Sequence, residues 1–227
     1  MGNVVPENMT PTELRYKTIS QNTYVDGIPV GCYAVSDKTT LNKLLDIGYD
    51  FNVIDKNKKT PYHYAIDFED TFKTLLSTNA SFTKDIHGNT PLHYAVTKNK
   101  VNLVKHMTSC MFEQNNEGDT PLHLAVKHNK VNIFIHTFEY TPQLNLFQHY
   151  KTELTGFQCT EKQHILHDVL NNDNLSVLAL IIQHKQKDLL KHVAEYTSIE
   201  RAKPILAKEG INNYDSTVEL MQCLISK

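Results

Sequence analysis

A chain of 227 residues suits one extended domain, or one domain with an appendage, and is long enough to bury a sizeable core. Its 23 Lys and Arg against 25 Asp and Glu leave a formal net charge of −2, so there is no basic excess to draw nucleic acid by bulk attraction. The 40% apolar content with so little net charge excludes a natively disordered chain, and the longest apolar candidate for a membrane span, 175–182, is far shorter than the ~18 residues required and is broken by Ser176.

The start of the chain lacks a basic, apolar signal segment, and Pro6 stands where an N-myristoylation motif beginning at Met1-Gly2 carries Ser or Thr. The four cysteines (Cys32, Cys110, Cys159 and Cys223) are far apart, with no metal-type or redox-type pairing, and are expected as reduced thiols in the cytosol. The first predicted element is a short helix near 11–20. There Thr10-Pro11-Thr12-Glu13 forms a capping box with Pro at the first helical position.

Farther on, Thr60-Pro61-Tyr62-His63-Tyr64-Ala65 recurs as Thr90-Pro91-Leu92-His93-Tyr94-Ala95 and again as Thr120-Pro121-Leu122-His123-Leu124-Ala125, at an interval of 30 residues each time. Each block predicts a helix pair. Thr is a good N-cap because its hydroxyl accepts from an orphan amide, and Pro at the next position loses no helical hydrogen bond. Asn99 and Asn129 are placed to end the first helices in the left-handed conformation. Val101, Leu103, Val104 and Met107 line one side of a second helix, and Gly88 supplies a permissive backbone in the turn Asp85–Asn89.

A fainter unit precedes these. Ala34 aligns with Ala65, and Leu41, Leu44 and Leu45 align with Phe72, Leu75 and Leu76, at an offset of 31; Cys32 then occupies the His position. A later unit is suggested by His164 to Leu170 followed by Asp173 to Leu178, laid on the third Thr-Pro block at an offset of 44. The extra residues around Thr141–Thr160 hold Phe147, Tyr150 and Phe157, which suit either a functional loop or packing over a gap. Capping boxes at Thr197–Glu200 and Ser216–Glu219 predict helices near 198–208 and 217–226.

These blocks resemble the ankyrin repeat. The resemblance implies an all-α ankyrin-repeat solenoid, built of helix-turn-helix repeats with hairpin turns and helical caps at both ends. An N-terminal cap is expected over 1–24. About five repeats follow within 25–187 (25–54, 55–84, 85–114, 115–146 and 160–187, with an insertion near 147–159), and 188–227 forms a helical cap or a degenerate sixth repeat. The same resemblance makes His63, His93, His123 and His167 structural, each bonding to the backbone of a neighbouring turn. Cofactors and metals are not expected: no metal-ligand spacing, nucleophile elbow or phosphate loop occurs, and Cys159 with His164 has sequence proximity alone.

The resemblance implies that recognition lies at solvent positions of the turns and first helices. The turn-tip candidates are Lys56, Asn57 and Lys59; Ile86, His87 and Asn89; and Asn116, Glu117 and Asp119. The first-helix candidates are Asp67 and Phe68; Thr97 and Lys98; and Lys127 and His128. Phe68 and Ile86 are the apolar members, hence candidate anchors, although Phe68 also suits filling a one-residue deletion in its repeat. The turns change sign, from basic (Lys56, Lys58, Lys59) to acidic (Glu117, Asp119). Asn52, in Asp50-Phe51-Asn52, fits the pattern on which asparaginyl hydroxylases act in ankyrin proteins. The function implied is a non-enzymatic protein-binding module, expected as a cytoplasmic monomer without nucleic-acid or membrane partners. Its style is similar to ankyrin effectors that pathogens place in the host cytosol. The alternatives are an inhibitor that masks a transcription factor, and an enzyme with a site in 141–227.

Overall fold

The computed structural model describes residues 23–140, 165–166, 168–197 and 207. The helices predicted near 11–20 and 217–226, that near 198–208 apart from Ala207, the aromatic residues of the insertion, and Cys159, His164, His167 and Cys223 lie outside the described residues. The chain divides into two compact units, Met1–Tyr94 and Ala95–Lys227.

The first unit opens with a hairpin, β1 (Tyr24–Val25) and β2 (Ile28–Pro29), paired antiparallel with Tyr24 opposite Pro29. Asp26 and Gly27 turn it with φ of 50° and 73°, the two positive values that match the twist of the flanking strands. Helix α1 (Val30–Tyr33) and a 3-10 turn (Ala34–Ser36) follow directly. Helix α2 (Lys38–Asp46) is capped by Asp37, whose Oδ1 accepts from the Thr39 amide at 3.1 Å. Helices α3 (Pro61–Ala65) and α4 (Glu69–Leu75) form the next pair. Their junction shows the effect of the one-residue deletion. No left-handed residue stands between them; instead Phe68 donates its amide to Ala65 at 2.9 Å and accepts from Phe72 at 2.8 Å. The core of this unit is aliphatic and aromatic: Val30, Leu41, Leu44, Phe51, Phe72 and Leu75 are buried, and the Tyr62 ring lies 5.0 Å from Phe72 and 4.3 Å from Phe82.

Helix α5 (Pro91–Thr97) runs across the boundary. The second unit continues with α6 (Val101–Val104), a 3-10 turn (Thr108–Cys110), α7 (Pro121–Lys127) and α8 (Val131–Glu139). Asn99 and Asn129 take φ of 57° and 51°, and each lets the residue after it donate back into the helix, Lys100 to Ala95 and Lys130 to Ala125, both at 2.8 Å. These are the left-handed terminations the sequence predicts. Helix α8 packs on both α6 and α7, burying Ile133, Phe134 and Phe138.

The last helix pair differs from the expectation. The turn 171–176, not the segment from His164, repeats the hydrogen bonding of 115–120. Asn171 donates to Leu175 at 3.0 Å as Asn115 does to Asp119 at 2.9 Å, and Asn174 has φ 63° where Gly118 has 76°. The offset is therefore 56 rather than 44. Ser176 replaces Thr as the cap, accepting from the Ala179 amide at 3.2 Å. The first helix of the pair is α9 (Val177–Gln183) and the second is α10 (Lys187–Val193). Val177 to Ile181 are all buried, with α9 packed on α7. The sequence disguised this unit because Ser, Val and Ala stand where the three Thr-Pro blocks carry Thr, Pro and His. Gly118 is the close approach on which the new turn rests: a Cβ there would lie 2.5 Å from the Asn172 amide nitrogen.

Candidate partner-binding surface

The four turns after the opening hairpin are each built around one side chain. Asp55 Oδ1 accepts from the amides of Asn57 (2.8 Å) and Lys59 (2.7 Å), and Asp85 Oδ1 from those of His87 and Asn89 (both 2.9 Å). Asn115 and Asn171 do the same with their amide oxygens, at 2.9 to 3.0 Å. Where the residue is Asp, its second oxygen takes a phenol: Tyr64 donates to Asp55 at 2.8 Å and Tyr94 to Asp85 at 2.7 Å. Where it is Asn, the phenol is absent, because Leu124 and Leu180 occupy the tyrosine position. Burial first, then the carboxylate, pushes both phenols above the ordinary tyrosine range.

His63 and His123 have both ring nitrogens occupied. His63 Nδ1 accepts from the Thr60 amide at 3.0 Å, so Nε2 carries the hydrogen and meets the Asn89 carbonyl at 3.0 Å. His123 repeats this with Thr120 (3.2 Å) and the Leu175 carbonyl (3.1 Å). Cys32 fills the same role in the first repeat, donating its thiol to the Lys59 carbonyl at 3.6 Å; burial raises that thiol to about 12.

Burial lowers the pKa of His63 and His123, and in each the nearby carboxylates and backbone bonds oppose it only in part. Protonation would also set an N–H at Nδ1 against the amide it now accepts from. A proton is thus bound more readily unfolded than folded. The histidine contribution to stability is full above the unfolded value of about 6.5 and is lost as pH falls through that value toward the lower folded one. The thermal midpoint should drop between pH 7.5 and 5.5, and His63→Gln with His123→Gln should flatten that slope. An equal slope in the double variant would assign the acid sensitivity elsewhere.

Of the residues expected to meet a partner, Lys56, Asp67, Phe68, Ile86 and His87 are exposed in the first unit, and Asn57, Lys59 and Asn89 are half-buried. The Ile86 amide donates to the Asn57 carbonyl at 3.0 Å, so these turns join edge to edge. Lys59 rests its ammonium 5.0 Å from the Tyr94 ring centroid. Phe68 does not fold inward to fill the deletion: it is 43% exposed, and Ile86 is 44% exposed.

In the second unit Thr97, Lys98, Asn116, Glu117 and His128 are exposed. Asp119 is not. It is wholly buried, accepting from Lys127 Nζ at 2.5 Å and Asn171 Nδ2 at 2.9 Å, and Lys127 is correspondingly half-buried. This turn residue therefore serves the interior, and Lys127 with it. The backbone oxygens of Asn116 and Glu117 are taken by Asn172, at 2.9 and 3.0 Å, leaving their side chains outward. Asn52 is exposed, its amide bound to Asp50 at 2.9 Å.

Sequence reasoning missed Asn171, Asn172 and the tyrosines. The recurrence of Tyr33, Tyr64 and Tyr94 at offsets of 31 and 30 was a signal for the last. Among the described residues no group of three His, Cys, Asp or Glu side chains could hold a metal ion, and no helix is long and apolar enough to cross a membrane.

A family model described as ankyrin repeats (3 copies) matches residues 32–111 and 69–147, together just over half of the chain. No curated protein matches it.

Proposed function

Since the chain belongs to the ankyrin-repeat family, whose repeats form protein–protein interaction modules, we propose that it is a non-enzymatic binder that holds a folded protein by its exposed turn tips and first-helix ends. The observation that carries this reading is the exposure of Phe68 and Ile86 on elements whose neighbours are polar. Neither side chain contributes its full burial to folding, so each has apolar surface left to bury against a partner, as interface anchors do. Lys56, Asp67 and His87 supply a polar rim to these anchors within the first unit, and Asn116, Glu117 and His128 are the exposed polar candidates of the second unit by itself. Asp119 and Lys127 drop out of the contact set because they satisfy one another. A standard interface would cover about 800 Å² of this protein. The setting proposed, a monomeric effector acting on host proteins in the cytosol, rests on the style of the sequence. Hydroxylation of the exposed Asn52 is a further part of the proposal, checked by a gain of one oxygen in intact mass from eukaryotic cells.

The test is affinity capture from a host-type lysate with the immobilised full chain, read by mass spectrometry. A variant carrying Phe68→Ser, Ile86→Ser and Glu117→Lys should lose its specific partner at least about tenfold, while melting as cooperatively as the parent, because all three positions are exposed. Unchanged capture by that variant would move the site to other residues.

A further inference from the structure

Tyr33, Tyr64 and Tyr94 occupy the same first-helix position in three successive repeats of the first unit, and each is half-buried. The hydroxyls of Tyr64 and Tyr94 are tied to Asp55 and Asp85, the same carboxylates that fold the turns. These two rings are thus oriented before any partner arrives, which lowers the ordering cost of binding. The fold itself does not require the pair: the second unit builds equivalent turns with Asn115 and Leu124, and with Asn171 and Leu180. We propose that the tyrosine row is a docking groove for an acidic, proline-rich segment of a partner, bound as a polyproline II helix. This deepens the interaction-module reading and rests on it.

Two physical features select that occupant. The first is spacing. Within one turn the two arms are joined by the Asp55 amide to the Lys59 carbonyl (3.0 Å), and the next turn is joined on by the Ile86 amide to the Asn57 carbonyl (3.0 Å). Two hydrogen-bonded spacings of about 4.8 Å make a step of about 10 Å from the repeat of Tyr64 to that of Tyr94. A polyproline II helix advances about 9.3 Å in three residues, so every third residue meets one ring. Same-face side chains of a β-strand recur about every 6.8 Å and fall out of step at the second ring. Such segments also seat on aromatic-lined grooves and carry little conformational entropy to lose.

The second feature is charge. Lys59 lies on the Tyr94 ring, and Lys56 and Lys58 stand exposed on the same turn, neither in an ion pair among the described residues. The carboxylates bonded to the Tyr64 and Tyr94 hydroxyls, Asp55 and Asp85, are buried, whereas Asp37 and the exposed Asp26 stand near Tyr33, so the cationic character belongs to the Tyr64–Tyr94 end of the row. Acidic residues between the prolines therefore complement the cationic turn, whereas basic ones would be repelled.

The experiment is fluorescence anisotropy of a labelled synthetic peptide of repeated Pro-Glu-Pro triplets, titrated with the full chain. Saturable binding that weakens with added salt is expected. The pair Tyr94→Leu with Asp85→Asn, which installs the combination found at Leu124 and Asn115, should keep the melting transition and weaken binding about tenfold or more. The proposal is overturned by the absence of saturable binding, by unchanged binding in the double variant, or by equal binding of a Pro-Lys-Pro peptide or an acidic amphipathic helical peptide. If the acidic proline peptide fails while lysate capture still depends on Phe68 and Ile86, the groove is refuted and the interaction module stands.

Discussion

Replacing Lys127 by methionine should destabilise the protein by about 3 kcal/mol, the cost of stranding a buried charge. Asp119 has no exposed surface, and its carboxylate meets the Lys127 ammonium at 2.5 Å and the Asn171 amide at 2.9 Å. The lysine remains 27% exposed at its side chain, which holds the expected loss to the lower end of the range for broken buried pairs. Removing both charges should be milder than removing one. In Asp119→Asn with Lys127→Met, the amide oxygen can still accept from Asn171 while no net charge is left inside. Urea titration of the two single variants and the double one separates these terms. A loss within about 0.5 kcal/mol for Lys127→Met alone would mean that water reaches Asp119, contrary to its burial.

Leu122→Ala should cost about 2–5 kcal/mol, and Leu92→Ala a similar amount, from lost burial plus the cavity each leaves. Leu122 sits on α7, which packs against both α8 and α9, and Leu92 occupies the same position one repeat earlier; neither is exposed at all. Short helices such as α7 (Pro121–Lys127) do not hold together alone in water, so the buried apolar face supplies most of their stability. In a repeat fold the loss spreads chiefly to nearest neighbours. For Leu122→Ala, hydrogen exchange should accelerate most in α7, α8 and α9. A cost below about 1 kcal/mol with unchanged exchange would show that the site collapses around the smaller side chain.

The fold was legible wherever its cause was local. Thr-Pro at the helix starts and Asn at the left-handed helix ends act within a few residues of themselves, so their spacing announced the repeats at 60, 90 and 120. Two of the four histidines show the expected bond: the ring of His63 reaches the next turn at 3.0 Å, and that of His123 at 3.1 Å. The fifth helix pair was misplaced for the same reason inverted. Its cap is Ser176, its first helical residue Val177, and its histidine position Ala179, so the familiar letters were missing although the turn's hydrogen bonds were kept.

The candidate surface was legible in outline only. Counting positions from the Thr-Pro blocks places Phe68 and Ile86 outward, where the structure has them. The same counting places Asp119 outward, and it is buried. That residue's fate depends on Lys127, eight residues away, and on Asn171, fifty-two away, which no periodicity could connect to it.

From its own order of residues, then, this chain determined which segments of the Thr-Pro repeats become helices, where their turns tighten and which apolar faces must be covered, because those choices follow from neighbours along the backbone. Tertiary structure alone decided that Asp119 faces inward, that the last turn starts at Asn171, and that Tyr64 and Tyr94 are held by the carboxylates of their turns. Each of these depends on groups brought together by folding, and on the high cost of leaving a polar group buried without a partner.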